Sequence, residues 1–147
     1  MRIEKRQVDG KPLTVIVEYP EWNRTVDNLV KKISKLDASI IGKKDDGSVM
    51  IDLFDIYYIE NVERKLFIYT GDDVYRLEGS MADIENASSD YGFVRISRTC
   101  IMNIEHLKEI RQIRNSHLEA VMDNDEKLIV SRKYLSEIKK IFKRESL

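Results

Sequence analysis

The sequence predicts a mainly β protein, in which short antiparallel strands joined by tight turns pack as a sandwich. Three observations predict this class. From residue 38 onward, runs of β-branched and aromatic residues alternate with turn residues. The turns between these runs are too short for the crossover that parallel strands need. Helical periodicity is confined to three segments, one near each end of the chain and a shorter one between them.

Composition is consistent with one folded domain carrying a small appendage. The chain has 147 residues, of which 42% are hydrophobic and 35% charged, so there is enough apolar material for a core. No apolar run approaches the length of a membrane span, and the N-terminus lacks the pattern of a signal peptide. Cys100 is the single cysteine, which excludes an internal disulfide and fits a reducing compartment. We therefore expect a cytoplasmic protein.

The N-terminal 42 residues predict a βα extension that precedes a β domain at residues 43–147. Residues 13–18 (LTVIVE) have the β-branched pattern of a strand and are bounded by Pro12 and Pro20. Residues 23–36 predict a helix that Asn23 or Thr25 could cap, since apolar residues recur there at helical spacing: Val26, Leu29, Val30, Ile33 and Leu36. This helix is expected to pack on the β domain or on a second copy in a homodimer.

The β domain divides into strands, hairpins and two helices. ASIIG and SVMID flank the turn KKDDG, where Gly47 is expected to supply a positive φ. DIYYIE leads into a charged loop, ENVERK, and LFIYT and VYRLE flank the turn GDD. Ser80 is expected to cap the short helix SMADIENA. The remaining elements, in order, are the strand FVRI, the run RTCIMNI, the strands EIRQIR, LEAVM and KLIVS separated by NSH and DNDE, and a helix at residues 131–142.

The residue types that carry enzymatic chemistry do not form a recognisable set. His106 and His117 are the only histidines, and with one cysteine they give no zinc-ligand spacing, so both are interpreted as structural or solvated. Cys100 is interpreted as a buried strand residue. The acidic pairs Asp45–Asp46 and Asp72–Asp73 are typical turn residues. The sequence therefore predicts that the protein is not an enzyme and that it has no metal site, no cofactor and no small-molecule substrate.

The basic residues are more informative. Residues 1–94 hold 13 Lys and Arg against 18 Asp and Glu, whereas residues 95–147 hold 12 against 8. Three basic clusters fall in predicted loops or at element ends: Arg64–Lys65, Arg95 with Arg98, and Arg132–Lys133. Arg132 and Lys133 stand at a helix start, where the helix dipole disfavours positive charge. Ser97, Thr99 and Ser131 stand beside these clusters. Such side chains can bind phosphates and base edges, although for one cluster alone a solvated surface is the simpler interpretation.

Two motifs in the C-terminal half of the sequence resemble the LytTR DNA-binding domain family. They are GFVRISRTCIMNIEHLKEI at residues 92–110 and LIVSRKYLSEIKKIF at residues 128–142. The matching positions are Phe93, Arg95, Arg98, Met102–Asn103 and Ser131–Tyr134. The upstream run IDLFDIYYIENVERKLFIYT is also similar to the opening strands of the family. The resemblance covers about residues 45–143 and departs from the usual pattern at Ser97, where histidine is common, and at Thr99, where serine is common.

The resemblance implies an elongated antiparallel β-sandwich of small sheets that places loops in successive DNA major grooves. It implies a bacterial transcription regulator that binds paired direct repeats in promoters. The implied base readers are Lys65 or Arg64, Arg98 and Lys133. An N-terminal part this short cannot hold the receiver domain of many members, which suggests the stand-alone subgroup, often paired with a small membrane protein that restrains it. The competing hypothesis is a protein–protein interaction module, tied to a membrane partner and without a DNA role.

Overall fold

The structure is a computed structural model that describes residues 1–36, 38–114 and 117–145. Its helices are α1 (Arg24–Lys35), α2 (Met81–Ser88) and α3 (Leu135–Glu145). Its strands are β1 (Ser39–Lys44), β2 (Gly47–Asp52), β3 (Ile56–Val62), β4 (Lys65–Thr70), β5 (Val74–Leu77), β6 (Phe93–Ser97), β7 (Cys100–Asn103), β8 (Leu107–Gln112), β9 (Leu118–Met122) and β10 (Lys127–Val130). These elements confirm the predicted mainly β class with a C-terminal helix.

The strands form two antiparallel sheets of unequal size. The larger has seven strands in the order β2-β1-β5-β4-β3-β7-β6, and the smaller has three in the order β10-β9-β8. Neighbouring strands in each sheet are antiparallel. The predicted hairpins and the predicted antiparallel pairing are therefore confirmed, while β1 beside β5 and β3 beside β7 are long-range pairings.

Apolar side chains fill two cores, one on each face of the seven-stranded sheet. The first lies between the two sheets and α3, and its fully buried members include Ile96, Met102, Met122 and Ile138. The second lies on the opposite face, where Met81 of α2 joins the buried side chains of the strands. Tyr58 links the sheets further, because its hydroxyl donates a hydrogen bond of 2.6 Å to Glu126 at the β9–β10 turn. The seven-stranded sheet is thus packed against apolar side chains on both of its faces.

The N-terminal extension forms the predicted helix but not the predicted strand. α1 begins after Asn23, whose side chain accepts a hydrogen bond from the Val26 amide, as expected for an N-cap. Val26 is the buried residue of its apolar face, and Leu36 remains 53% exposed. Residues 13–18 have no strand assignment, so the predicted strand is wrong for the single chain. A strand needs a neighbour for its amides and carbonyls, and this segment has none among the described residues.

Turn geometry corrects three further expectations. In the β1–β2 turn the positive φ, 54°, belongs to Asp45 and not to Gly47; short polar Asp tolerates this conformation. The predicted loop ENVERK is reduced to a two-residue turn, because Glu63 and Arg64 both take positive φ and the strands run up to them. The last α-helix starts at Leu135, after a 3-10 turn at Arg132–Tyr134. Ser80 caps α2 as predicted, with its hydroxyl accepting from the Asp83 amide.

Two other expectations remain predictions. The predicted domain boundary between residues 42 and 43 falls inside β1, which pairs with β2 and β5 of the main sheet. The predicted NSH turn includes Asn115 and Ser116, which lie outside the described residues. None of the helices in the described part of the chain is long and apolar enough to cross a membrane.

Candidate nucleic-acid interface

Two of the predicted basic segments meet at one end of the seven-stranded sheet. β3 and β7 are adjacent and antiparallel, with Glu60 opposite Cys100, so the β3–β4 turn and the β6–β7 turn leave the sheet at the same end. The Asn61 amide donates a hydrogen bond of 2.7 Å to the Thr99 carbonyl and fixes this proximity. Arg64 therefore stands on a turn beside the turn that carries Arg98.

The third basic segment reaches the same end from the smaller sheet. The Ser131 amide, just after β10, donates a hydrogen bond of 2.7 Å to the Ile96 carbonyl on β6. Ile96 is fully buried and directly precedes the β6–β7 turn. We call the three segments together, Glu63–Lys65, Ser97–Thr99 and Ser131–Lys133, the basic end. The fold thus brings together segments that are more than thirty residues apart in the sequence.

The cations of the basic end face solvent. Arg64, Lys65, Arg98, Arg132 and Lys133 are all exposed. In the described part of the chain, no carboxylate forms an ion pair with Arg64, Lys65 or Arg98. The Lys133 ammonium lies 5.5 Å from the centre of the Tyr134 ring, close to the start of α3. Exposed cations without internal counter-ions are available to an anionic partner.

Arg95 differs from these cations because its guanidinium is used inside the protein. Its Nη1 pairs with Glu85 of α2 at 2.9 Å, and its Nε donates to the Ser97 carbonyl at 2.8 Å. Its Nη2 donates to the Arg98 carbonyl. The side chain is only 18% exposed. The sequence predicts that Arg95 binds DNA; in the structure its guanidinium joins α2 to the β6–β7 turn.

The β6–β7 turn is further shaped by its own hydroxyl groups. A register shift between Arg95 and Ser97 interrupts the pairing of β6 with β7, and such irregularities redirect side chains at the end of a strand. The Thr99 amide donates to the Ser97 hydroxyl at 3.3 Å, and the two hydroxyls lie 3.5 Å apart. Arg98 is thus presented at the tip of an internally bonded turn.

A groove of about 780 Å³ runs between this turn and β10. Of the predicted residues, Ser97, Thr99, Ser131 and Arg132 line it. Sequence reasoning missed two further groups on its wall, Lys127 and His117. Nothing local marks either residue, since both reach the groove only through the pairing of β9 with β10. One carboxylate, Glu60, also lines the groove.

The histidine and the cysteine singled out for chemistry have structural environments. His106 is buried and stacks on the Tyr57 ring with centroids 4.1 Å apart. Its Nδ1 lies 2.9 Å from the Asp123 carboxylate, and its Nε2 donates to the Phe54 carbonyl. Burial raises the pKa of the Cys100 thiol to about 12, which opposes formation of a nucleophilic thiolate. The structural interpretation of both residues is confirmed, and His117 is exposed.

Comparison with known proteins identifies the same region as a unit. The family model described as "LytTr DNA-binding domain" matches residues 46–143. This range covers every strand from β2 to β10 and all three segments of the basic end.

Curated relatives and a solved structure agree with that match. The chain is 32% identical over 96 residues to "Sensory transduction protein LytT" of Bacillus subtilis, covering 65% of this chain and 40% of that protein. It is 30% identical over 113 residues to the protein of the same name from Enterococcus faecalis, covering 77% and 46%. The chain thus spans less than half the length of these relatives. A solved LytTr DNA-binding domain from Bacillus cereus has the same fold, with a TM-score of 0.66 at 24% identity, covering 72% of this chain and 97% of that one.

Proposed function

Because the chain belongs to the LytTr DNA-binding domain family, we propose that it is a sequence-specific transcription regulator whose basic end enters the DNA major groove. The observation that carries the proposal is the convergence of three separate basic segments at one end of the fold, with cations exposed on each of them. A solvated charged surface would not require segments from two different sheets to be tied together by backbone hydrogen bonds.

We assign different roles to the predicted residues from their positions. Arg98 stands at the tip of a braced turn, and Lys133 stands in the 3-10 turn just before α3. Arg64 stands on the neighbouring turn, followed by Lys65 at the start of β4. Arg and Lys at such tips suit hydrogen bonding to guanine O6 and N7. The hydroxyls of Ser97, Thr99 and Ser131, with Arg132 and Lys127, line the adjoining groove and suit phosphate contacts that fix orientation. Arg95 is a positioning residue for the β6–β7 turn.

The target is proposed to be paired short direct repeats in promoters, read by a protein that takes no small-molecule substrate. We propose that the pair of turns and the residues just before α3 contact successive parts of one duplex, which would give an interrupted recognition element.

The experiment is selection of genomic DNA fragments by the purified chain, followed by affinity measurements on the enriched duplex and on a scrambled duplex. Arg98→Ala and Lys133→Ala should each weaken binding to the enriched duplex by about 1–3 kcal/mol, with little effect on the scrambled duplex. Wild-type affinity should fall steeply with salt, because phosphate contacts release counter-ions.

Lys108→Ala is the matched control. Lys108 is exposed, pairs with Asp125 at 3.1 Å, and lies near the start of β8, away from the basic end. Its removal deletes one positive charge and should leave both affinities nearly unchanged. Equal losses on both duplexes in all three variants would contradict base reading at Arg98 and Lys133. An affinity insensitive to salt would favour the protein–protein interaction module instead.

A further inference from the structure

The segment at residues 13–18 has the β-branched residue pattern of a strand, but it forms no strand within its own chain. Leu13, Val15 and Ile16 are 97%, 58% and 79% exposed. None of the backbone amides of residues 13–18 is hydrogen-bonded to another described residue. Pro12 and Pro20 limit any ladder to the residues between them. A β-branched run with free backbone groups and exposed apolar side chains is suited to join an existing sheet.

The seven-stranded sheet offers an unprotected edge at β2. This strand is the last in its sheet, so one row of its amides and carbonyls has no partner strand. Its central residues are uncharged, and Met50 and Val49 are 74% and 38% exposed. Charged side chains, prolines and bulges normally protect such edges. Met50 also stands opposite Ile41, itself 59% exposed, so the outer face of the edge carries an apolar pair.

One antiparallel register matches the segment to this edge on both faces. With Ile16 opposite Met50, Val15 stands opposite Ile51 and Val17 opposite Val49. Ile51 is buried in the second core, so Val15 and Val17 would extend that core. Ile16 would cover Met50 on the outer face. Because side chains alternate across a strand, a shift by one residue would reverse this match.

Charge selects the antiparallel direction over the parallel one. In the register above, Thr14 stands opposite Asp52, so the preceding chain with Lys11 leaves the sheet at the end of β2 that carries the exposed carboxylates of Asp52 and Asp55. Glu18 falls at the other end, near Lys43 and Lys44 of β1, which pair with Glu78 and Asp73 but remain 48% and 43% exposed. A parallel alignment would instead place Glu18 next to Asp52 and Asp55.

We propose that residues 13–18 of one copy of this chain add to the β2 edge of a second copy, and that the two copies exchange these segments reciprocally. Each dimer would then contain two identical eight-stranded sheets related by a twofold axis, a closed arrangement with neither β2 edge exposed. Within one chain, residues 13–18 do not pair with the β2 edge, although both belong to the same molecule. This favours a second copy of the chain as the partner of each.

The first test is the oligomeric state of the full chain by sedimentation velocity over a concentration series. Wild type should be a dimer, and Ile16→Lys and Met50→Lys should each raise the dimer dissociation constant about 100-fold, because every dimer contains two copies of the lost apolar contact. The double variant Ile16→Lys with Met50→Glu should recover dimerisation through opposite charges across the strands. Ile3→Lys, at an exposed apolar position outside the segment, is the control. A monomeric wild type, or a dimer unaffected by both lysine substitutions, would overturn the proposal.

The second test identifies the occupant by cross-linking. Oxidation of Ile16→Cys with Met50→Cys should give a disulfide-linked dimer, since buried Cys100 does not compete. A cross-linked monomer would show that the segment folds onto its own edge and would refute exchange. Efficient cross-linking of Ile16→Cys alone would show instead that two segments pair with each other, which also refutes it. Both readouts are independent of DNA, so their failure leaves the proposed function untouched.

Discussion

Replacing Arg95 by glutamine tests whether this side chain positions the β6–β7 turn or contacts DNA directly. Arg95 makes two charge-assisted hydrogen bonds to the Ser97 and Arg98 carbonyls and one ion pair with Glu85. Glutamine has a similar reach but lacks the charge and the forked donors, so it can replace at most one of the carbonyl bonds. The β6–β7 turn would then lose its fixed shape before DNA binds.

The magnitude follows from the contacts that are lost. Hydrogen bonds to a charged group contribute about 1.5–3 kcal/mol each, so two of them hold the turn with at least ~3 kcal/mol. A glutamine amide regains about 1 kcal/mol through a neutral bond. The remaining ~2 kcal/mol must be supplied when DNA orders the turn, which corresponds to about a 30-fold loss of affinity. Glu85→Gln should lose fivefold or less, because Glu85 is 40% exposed and such pairs contribute at most about 1 kcal/mol.

The assay is fluorescence anisotropy of the selected duplex at several salt concentrations, with thermal unfolding as a check on the fold. For Arg95→Gln we expect weaker binding to the selected duplex and an unchanged slope of log affinity against log salt, because no phosphate contact is removed. Arg98→Gln serves as the comparison at an exposed position of the same turn. A drop of about 0.9 in the slope, with equal losses on random DNA, would show that Arg95 binds a phosphate and refute the brace.

Three further predictions concern the two cores. Asn103→Leu should lower the free energy of unfolding in urea by about 2–4 kcal/mol, since the fully buried Asn103 amide donates to the Ile56 carbonyl at 2.8 Å and accepts from a backbone amide. Cys100 should not react with a thiol reagent at pH 8 until the chain unfolds, because its thiol pKa is raised to about 12 in the fold. Burial and the hydrogen bond to Glu126 raise the pKa of the Tyr58 phenol. Stability from Tyr58 should therefore be full below about pH 10 and fall above it, and Tyr58→Phe should flatten that part of the pH profile.

Features with local causes could be predicted from the sequence. Helix α1 follows from five apolar residues at helical spacing and a capping asparagine, all within fourteen residues. The hairpin after β4 follows from a Gly-Asp-Asp turn between two β-branched and aromatic runs. The burial of Cys100 follows from its place in a run of strand-forming apolar residues. Each of these features depends on interactions between residues that are close along the chain.

Features set by distant parts of the chain could not be predicted in the same way. Arg95 and Arg98 are similar in sequence context, yet a register shift and the arrival of Glu85 turn one inward and leave the other exposed. Lys127 joins the groove only because β10 pairs with β9. The strand predicted at residues 13–18 is absent, because a strand requires an edge to pair with and no local signal shows where that edge lies.

The turn at Glu63–Arg64 lowers the stability of the fold in order to present Arg64 at this end. Both residues adopt left-handed backbone conformations, with φ of 52° and 66°, which disfavour side chains by about 1–2 kcal/mol each. Asn-Gly is the pair that this two-residue hairpin prefers. A chain carrying Asn-Gly here should be more resistant to heat and should bind its target less well. Thermostability and the proposed DNA binding are therefore opposed at this turn. Substitutions meant to stabilise the protein should be made at other positions.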